Sequence, residues 1–92
     1  MQTLTPLQYR LSQLTQQNRD VLRAVLNNPG TLFQITAIIG ASFDQQIGVQ
    51  QDAEYLLAAR LSLVEKSLSA LIDEGHVLRS PGSRETSIYQ AS

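Results

Sequence analysis

At 92 residues, with 42% apolar and 16% charged side chains, the chain holds material for one hydrophobic core and not two. It has no cysteine, which excludes disulfides, thiolate catalysis and cysteine-ligated zinc, and its single histidine, His76, has no second histidine with which to share a metal. A net charge of −1 excludes a uniformly basic surface, so any contact with nucleic acid falls to locally clustered cations.

Residues 1–4 read as a tether. In Thr5-Pro6-Leu7-Gln8, Thr5 can cap, Pro6 suits the first helical position and Gln8 sits where a capping box needs it. Leu7, Leu11 and Leu14 follow at helical spacing, and so short an amphipathic helix requires a partner surface: the rest of the domain, or the same helix of a second subunit. Thr15-Gln16-Gln17-Asn18 offers a second cap, before a helix whose buried face is expected to be Val21, Leu22, Val25 and Leu26. A continuous helix from Pro6 to Asn27 is an open alternative, because Leu7, Leu11, Leu14, Val21 and Val25 keep a heptad rhythm interrupted by Asn18. Pro29-Gly30 then stops the helix.

Thr31-Leu32-Phe33-Gln34 repeats the capping-box pattern, and Leu32, Ile35, Ile38 and Ile39 predict a short helix closed by Gly40, although the β-branched residues also suit a strand. Periodicity is lost from Ala41 to Gln51, which reads as a loop tacked to the core by Phe43, Ile47 and Val49.

The longest signal follows, from Asp52 to Gly75. Leu57, Leu61, Val64, Leu68 and Leu71 recur at spacings of four and three and define one buried helical stripe, widened by Ile72. Asp52 can accept hydrogen bonds from the first turn, Glu54 adds favourable charge there, and Gly75 can take the left-handed conformation after the last turn. The opposite face carries Tyr55, Ala59, Ser62, Lys66, Ser69 and Asp73. It is small in its middle and can approach another surface closely, a DNA major groove being one such surface and bulk solvent the plain alternative. Beyond the helix, His76 to Ser80 and Thr86 to Gln90 predict the arms of a hairpin around Pro81-Gly82-Ser83-Arg84-Glu85, with Val77, Ile88 and Leu78 facing inward. Two strands alone are marginal, so the hairpin must lean on the helices.

Several helices, a long helix ending in LSALIDEGHVLR and a hairpin with a Pro-Gly-Ser-Arg tip together resemble a winged helix-turn-helix domain, and within that class the MarR-type transcription regulators. Leu14 to Gly30 is similar to the helix that opens such a domain, Thr31 to Gly40 to its supporting helix, and Val64 to Val77 with the Arg79–Arg84 hairpin to the end of the recognition helix and the wing. A second alignment makes Asp52–Leu61 the supporting helix and starts the recognition helix at Ser62, itself the head of a capping-box pattern. The unbroken apolar rhythm across Ser62 favours one continuous helix.

The expected fold is therefore mainly α with a small β-hairpin, a single winged-helix domain over 1–92: an N-terminal tether and helix at 1–14, a helical core at 15–75 and a wing at 76–90. The resemblance implies sequence-specific binding of duplex DNA by a small transcriptional regulator acting as a homodimer. Its candidate DNA-contacting residues are Tyr55, Arg60, Ser62, Lys66, Ser69, Arg79 and Arg84; Lys66 matches a groove-facing position and Arg84 a wing-tip arginine. Leu7, Leu11 and Leu14 are the first candidate dimer surface, with Leu56 and Leu63 as the second. Competing with this is a winged-helix module that binds protein and no nucleic acid, which the near-neutral charge and the acidic helix start at Asp52 and Glu54 favour. For Arg60 the plain alternative is pairing with Glu54 or Glu65 on its own helix.

No enzyme, metal or cofactor is expected. Asp73 and Glu74 are adjacent on a helix and point about 100° apart, the glycines form no phosphate-cradling loop, and His76 reads as a partly buried structural residue. With no apolar run of membrane-spanning length and no basic-then-apolar leader, a cytoplasmic location is expected.

Overall fold

The computed structural model describes residues 15–92. The expectations for Leu7, Leu11 and Leu14, and for a helix running unbroken from Pro6, lie outside the described residues. Four α-helices and two strands follow in order: α1 (Gln16–Asn27), α2 (Leu32–Ile39), a 3-10 turn (Gly40–Phe43), α3 (Asp44–Ile47), α4 (Ala53–Asp73), β1 (Val77–Arg79) and β2 (Tyr89–Ala91). The protein is mainly helical with a two-stranded antiparallel hairpin. No helix among the described residues is long and apolar enough to cross a membrane.

The helix starts are where the local chemistry puts them. Thr15 accepts from the Asn18 amide, Thr31 and Gln34 form a reciprocal capping box, and the Asp52 carboxylate accepts from the amides of Glu54 and Tyr55. At the far end of α4, Gly75 takes φ +81° while His76 N–H donates to Leu71 and Gly75 N–H to Ile72, the bond pair that closes a Schellman motif. Gly40, expected to close α2 by reversing direction, instead keeps helical angles (φ −58°, ψ −35°) and carries the chain into the 3-10 turn. The stretch from Ala41 to Gln51, expected as a loop, is thus helical through Ile47, and Phe43 is buried.

α4 is one continuous helix of 21 residues, with no break at Ser62. Its buried residues are Leu61, Val64, Ser67, Leu68 and Leu71. They close the core with Val21, Leu22 and Val25 of α1, Leu32 and Ile35 of α2, Phe43, Val77 and Tyr89. Leu57 belongs to the same stripe but is 47% exposed, and no residue from Ala53 to Arg60 is buried. The first two turns of α4 therefore project beyond the elements that cover its core face.

Four other core assignments are corrected, the first being Val49, which was expected to tack the 41–51 stretch to the core and is 96% exposed. On α1 the buried arc is Val21, Leu22, Ala24 and Val25, which puts Leu26 past its edge and into solvent. On α2, Thr36 occupies the inner face in place of Ile38, which is exposed. In the hairpin, Arg79 pairs with Tyr89 and Val77 with Ala91, so the odd-numbered residues share the inner face. That parity buries Val77 and Tyr89 and turns both Leu78 and Ile88 outward. Tyr89 also exchanges two backbone hydrogen bonds with Gly30, its carbonyl accepting at 3.1 Å and its amide donating at 2.8 Å. The link between α1 and α2 is in this way tied to the hairpin, which supplies the support two strands need.

Candidate nucleic-acid interface

α4 dictates the layout of the candidate residues. At about 100° per residue, Tyr55, Ala59, Ser62, Ser69 and Asp73 all fall within about 60° of Lys66. All of them are exposed except Ala59, which is half-buried. Among the described residues no element covers this face, and its side chains are short apart from Tyr55 and Lys66.

The two flanks of that face are occupied by ion pairs. Arg60 points to one side, where its Nε donates to Asp44 Oδ1 at 2.8 Å and its Nη2 to Asp44 Oδ2 at 2.6 Å. The partner expected on its own helix, Glu54 or Glu65, is replaced by a residue of α3, because Arg60 faces the 40–47 segment as that segment folds back along α4. Gly40 makes the approach possible: a Cβ there would stand 2.9 Å from Thr36 Cγ2 and 3.3 Å from Arg60 Cβ. The bond to Arg60 holds the Asp44 carboxyl below the usual carboxylate range, against a smaller opposing effect of burial, and the same bond raises Arg60.

Glu65 points to the other flank, about 140° away from Arg60 around the axis, and receives the hairpin tip. Arg84 Nε donates to Glu65 Oε2 at 3.0 Å, which raises the guanidinium above its ordinary value. The tip that carries Arg84 is itself built by hydroxyls. Ser83 N–H donates to Thr86 Oγ1 at 3.0 Å and Thr86 N–H to Ser83 Oγ at 3.2 Å, a capping box around a single turn. Ser87, fully buried, donates through Oγ to the Ser83 carbonyl at 2.8 Å.

No protein-family model matches this chain. Neither a curated protein nor a solved structure matches it either.

Of the seven candidates, then, Arg60 and Arg84 are ion-paired within the fold, while Tyr55, Ser62, Lys66, Ser69 and Arg79 are exposed. Ser69 and Arg79 share a cleft between the end of α4 and β1, and Asp73 lines the same cleft. The Arg79 guanidinium lies 6.0 Å from the centre of the Tyr89 ring, at the outer limit of a cation–π contact. Lys66 is on the other side, bordering a groove with the capping Thr15, with Gln17 and Asn18 of α1 and with Gln46 of α3. Lys66 and Arg79 thus line separate depressions on opposite sides of the exposed face.

Sequence reasoning missed Asp44 and the Ser83–Thr86 box, and it offered Glu65 to Arg60 where the structure pairs it with Arg84. Only the box had a local signal, the three-residue spacing of two hydroxyls. Among the described residues no group of three His, Asp or Glu side chains could hold a metal ion. His76 is nearly enclosed, its side chain 10% exposed and its Nε2 3.8 Å from Glu74, at the helix-to-strand corner and away from the exposed face of α4.

Proposed function

We propose that the protein is a winged helix-turn-helix domain that binds duplex DNA in a sequence-specific manner as a small transcriptional regulator, acting as a homodimer. One arrangement carries the reading: the exposed, small-residue face of α4 is flanked by a hairpin whose arginine is fastened to that same helix by the 3.0 Å contact between Arg84 and Glu65. A helix with short polar side chains can enter the major groove, and a hairpin held at a fixed offset meets the adjoining backbone. The element order also supports it, with α2 before the long helix, the hairpin after it and Gly30 bridging to the hairpin. Dimerisation is part of the reading because, with Arg60 engaged by Asp44, the three remaining candidate cations, Lys66, Arg79 and Arg84, provide few phosphate contacts per chain, and two copies double them.

The test is fluorescence polarisation with labelled duplex DNA over a salt titration starting at about 50 mM, where phosphate contacts are strong. Binding that falls steeply with salt, together with a dimeric size in solution, supports the reading. No binding at the lowest salt, or binding indifferent to salt, would remove it.

A protein-interaction module is the second reading, favoured by a different observation. Tyr55 is 60% exposed and Leu57 47%, and both lie on the projecting turns of α4 behind the acidic Asp52 and Glu54. Carboxylates at that end would repel phosphate but not a protein surface.

A further inference from the structure

Arg60 and Arg84 are each paired with a carboxylate, but the two pairs differ in a way that bears on function. Arg60 spends Nε and Nη2 on both oxygens of Asp44, and only 28% of its side chain is exposed. It is locked into the fold. Arg84 uses Nε alone, on one oxygen of Glu65, and its side chain is 42% exposed. Its two terminal nitrogens have no hydrogen-bond partner among the described residues. They present the edge of the guanidinium that forms paired bonds with a phosphate.

The backbone on both sides of this contact is fixed. Glu65 sits in the middle of α4, one residue before Lys66 and on the wing side of the exposed face. Arg84 sits on a turn closed by the Ser83–Thr86 box and anchored by buried Ser87. A carboxylate held between two rigid elements can orient an arginine without consuming it, because a guanidinium carries five N–H donors and Nε supplies one.

Building on the DNA-binding reading, we propose that Glu65 is a positioning residue: it grips Arg84 by Nε and aims its two terminal nitrogens at a backbone phosphate of a duplex lying along the exposed face of α4. Glu65 itself is not in contact with the DNA. Its negative charge taken alone would weaken binding, and its service to Arg84 outweighs that repulsion.

The two effects have opposite signs and can be separated. Affinity for one labelled duplex at about 50 mM salt is measured for the wild type, Glu65→Ala, Glu65→Gln, Arg84→Ala and the double variant Glu65→Ala/Arg84→Ala. Glutamine keeps an oxygen that accepts from Nε and removes the charge, so Glu65→Gln should bind at least as tightly as the wild type. Glu65→Ala should bind more weakly by about three- to tenfold, because an unrestrained arginine must be ordered on binding. In the Arg84→Ala background the alanine at 65 should no longer weaken binding and should modestly strengthen it. Tighter binding by Glu65→Ala in the presence of Arg84 would overturn the proposal, since repulsion would then be all that Glu65 does. Equal weakening by Glu65→Ala with and without Arg84 would also overturn it, as would loss of binding by Glu65→Gln. A wild type that binds no duplex at this salt would overturn the DNA-binding reading itself, and that outcome is seen before any variant is made.

Discussion

Asp44 and Arg60 are joined by two hydrogen bonds of 2.8 and 2.6 Å across sixteen residues of sequence, and this pair fastens the 3-10 turn and α3 to the side of α4. Gln17 adds a second strut from α1, donating through Nε2 to Gln46 at 2.7 Å. With buried Phe43, these contacts join a stretch of no sequence periodicity to the side of the long helix.

The pair makes stability depend on pH in a definite direction. The Asp44 carboxyl is held below its ordinary value by the hydrogen bond from Arg60. A carboxylate whose folded pKa is depressed contributes stability above its unfolded value, near 3.9, and loses it as pH falls through the folded value. Thermal melts should therefore show the wild type above Asp44→Asn at pH 7, with the gap closing below about pH 4. A gap that stays constant down to pH 2, or no gap at neutral pH, would contradict the role given to the pair.

Gly75 is a separate test of the helix end. Its φ of +81° lies in the left-handed region, and no atom stands within 4 Å of where a Cβ would be. Gly75→Ala therefore measures backbone strain without a steric clash. Destabilisation of about 1–2 kcal/mol in a denaturant titration is expected. The same change at Gly40, where φ is −58° and the neighbours are close, should act through crowding against Thr36 and Arg60 instead.

What the sequence disclosed follows a physical division. Thr31 with Gln34, Asp52 and Gly75 were readable because a cap is a contact between residues two to five apart. The stripe from Leu61 to Leu71 was readable because burial imposes a helical period. Leu57 carried the same period and is exposed, since periodicity records which face a residue is on and not whether another element reaches it. Ile88 was mistaken for Tyr89 because a strand's inner face depends on its register with its partner, which one strand alone does not specify. The Asp44–Arg60 and Glu65–Arg84 pairings were invisible for a further reason: the partners lie sixteen and nineteen residues apart, and an isolated charge pair has no pattern.

The projection of α4 can be tested by comparing two leucines of one stripe. Leu68 is fully buried and Leu57 is 47% exposed. Leu68→Ala should cost about 2–5 kcal/mol, the transfer and cavity cost of a core leucine, whereas Leu57→Ala should stay within roughly 0.5–1 kcal/mol. Similar losses at both positions in urea titrations would mean that Leu57 is covered in solution, by a second copy or by residues 1–14. Repeating the titration over a range of protein concentrations separates those two, because only a second copy makes the loss depend on concentration.

Asp73 gives the sharpest electrostatic test of the proposed DNA face. It lies about 20° from Lys66 around the helix axis, is exposed, and shares the cleft that holds Ser69 and Arg79. A carboxylate there opposes any phosphate brought against the end of α4, and its removal should raise affinity for duplex DNA. Lys66→Ala should act the other way, weakening binding across sequences and lowering the slope of log affinity against log salt by about one if it meets a phosphate. If it reads a base, the cost should be about 1–3 kcal/mol at one position of the site with little change of slope. The two variants are best measured together, because Asp73→Asn changes the charge of the face without shortening a side chain. Tighter binding by Asp73→Asn and weaker binding by Lys66→Ala would identify this stripe as the surface that meets DNA. If neither variant changes the affinity of a protein that does bind duplex, the contact must be made by another face, and α1, with exposed Arg19 and Arg23, becomes the next surface to examine.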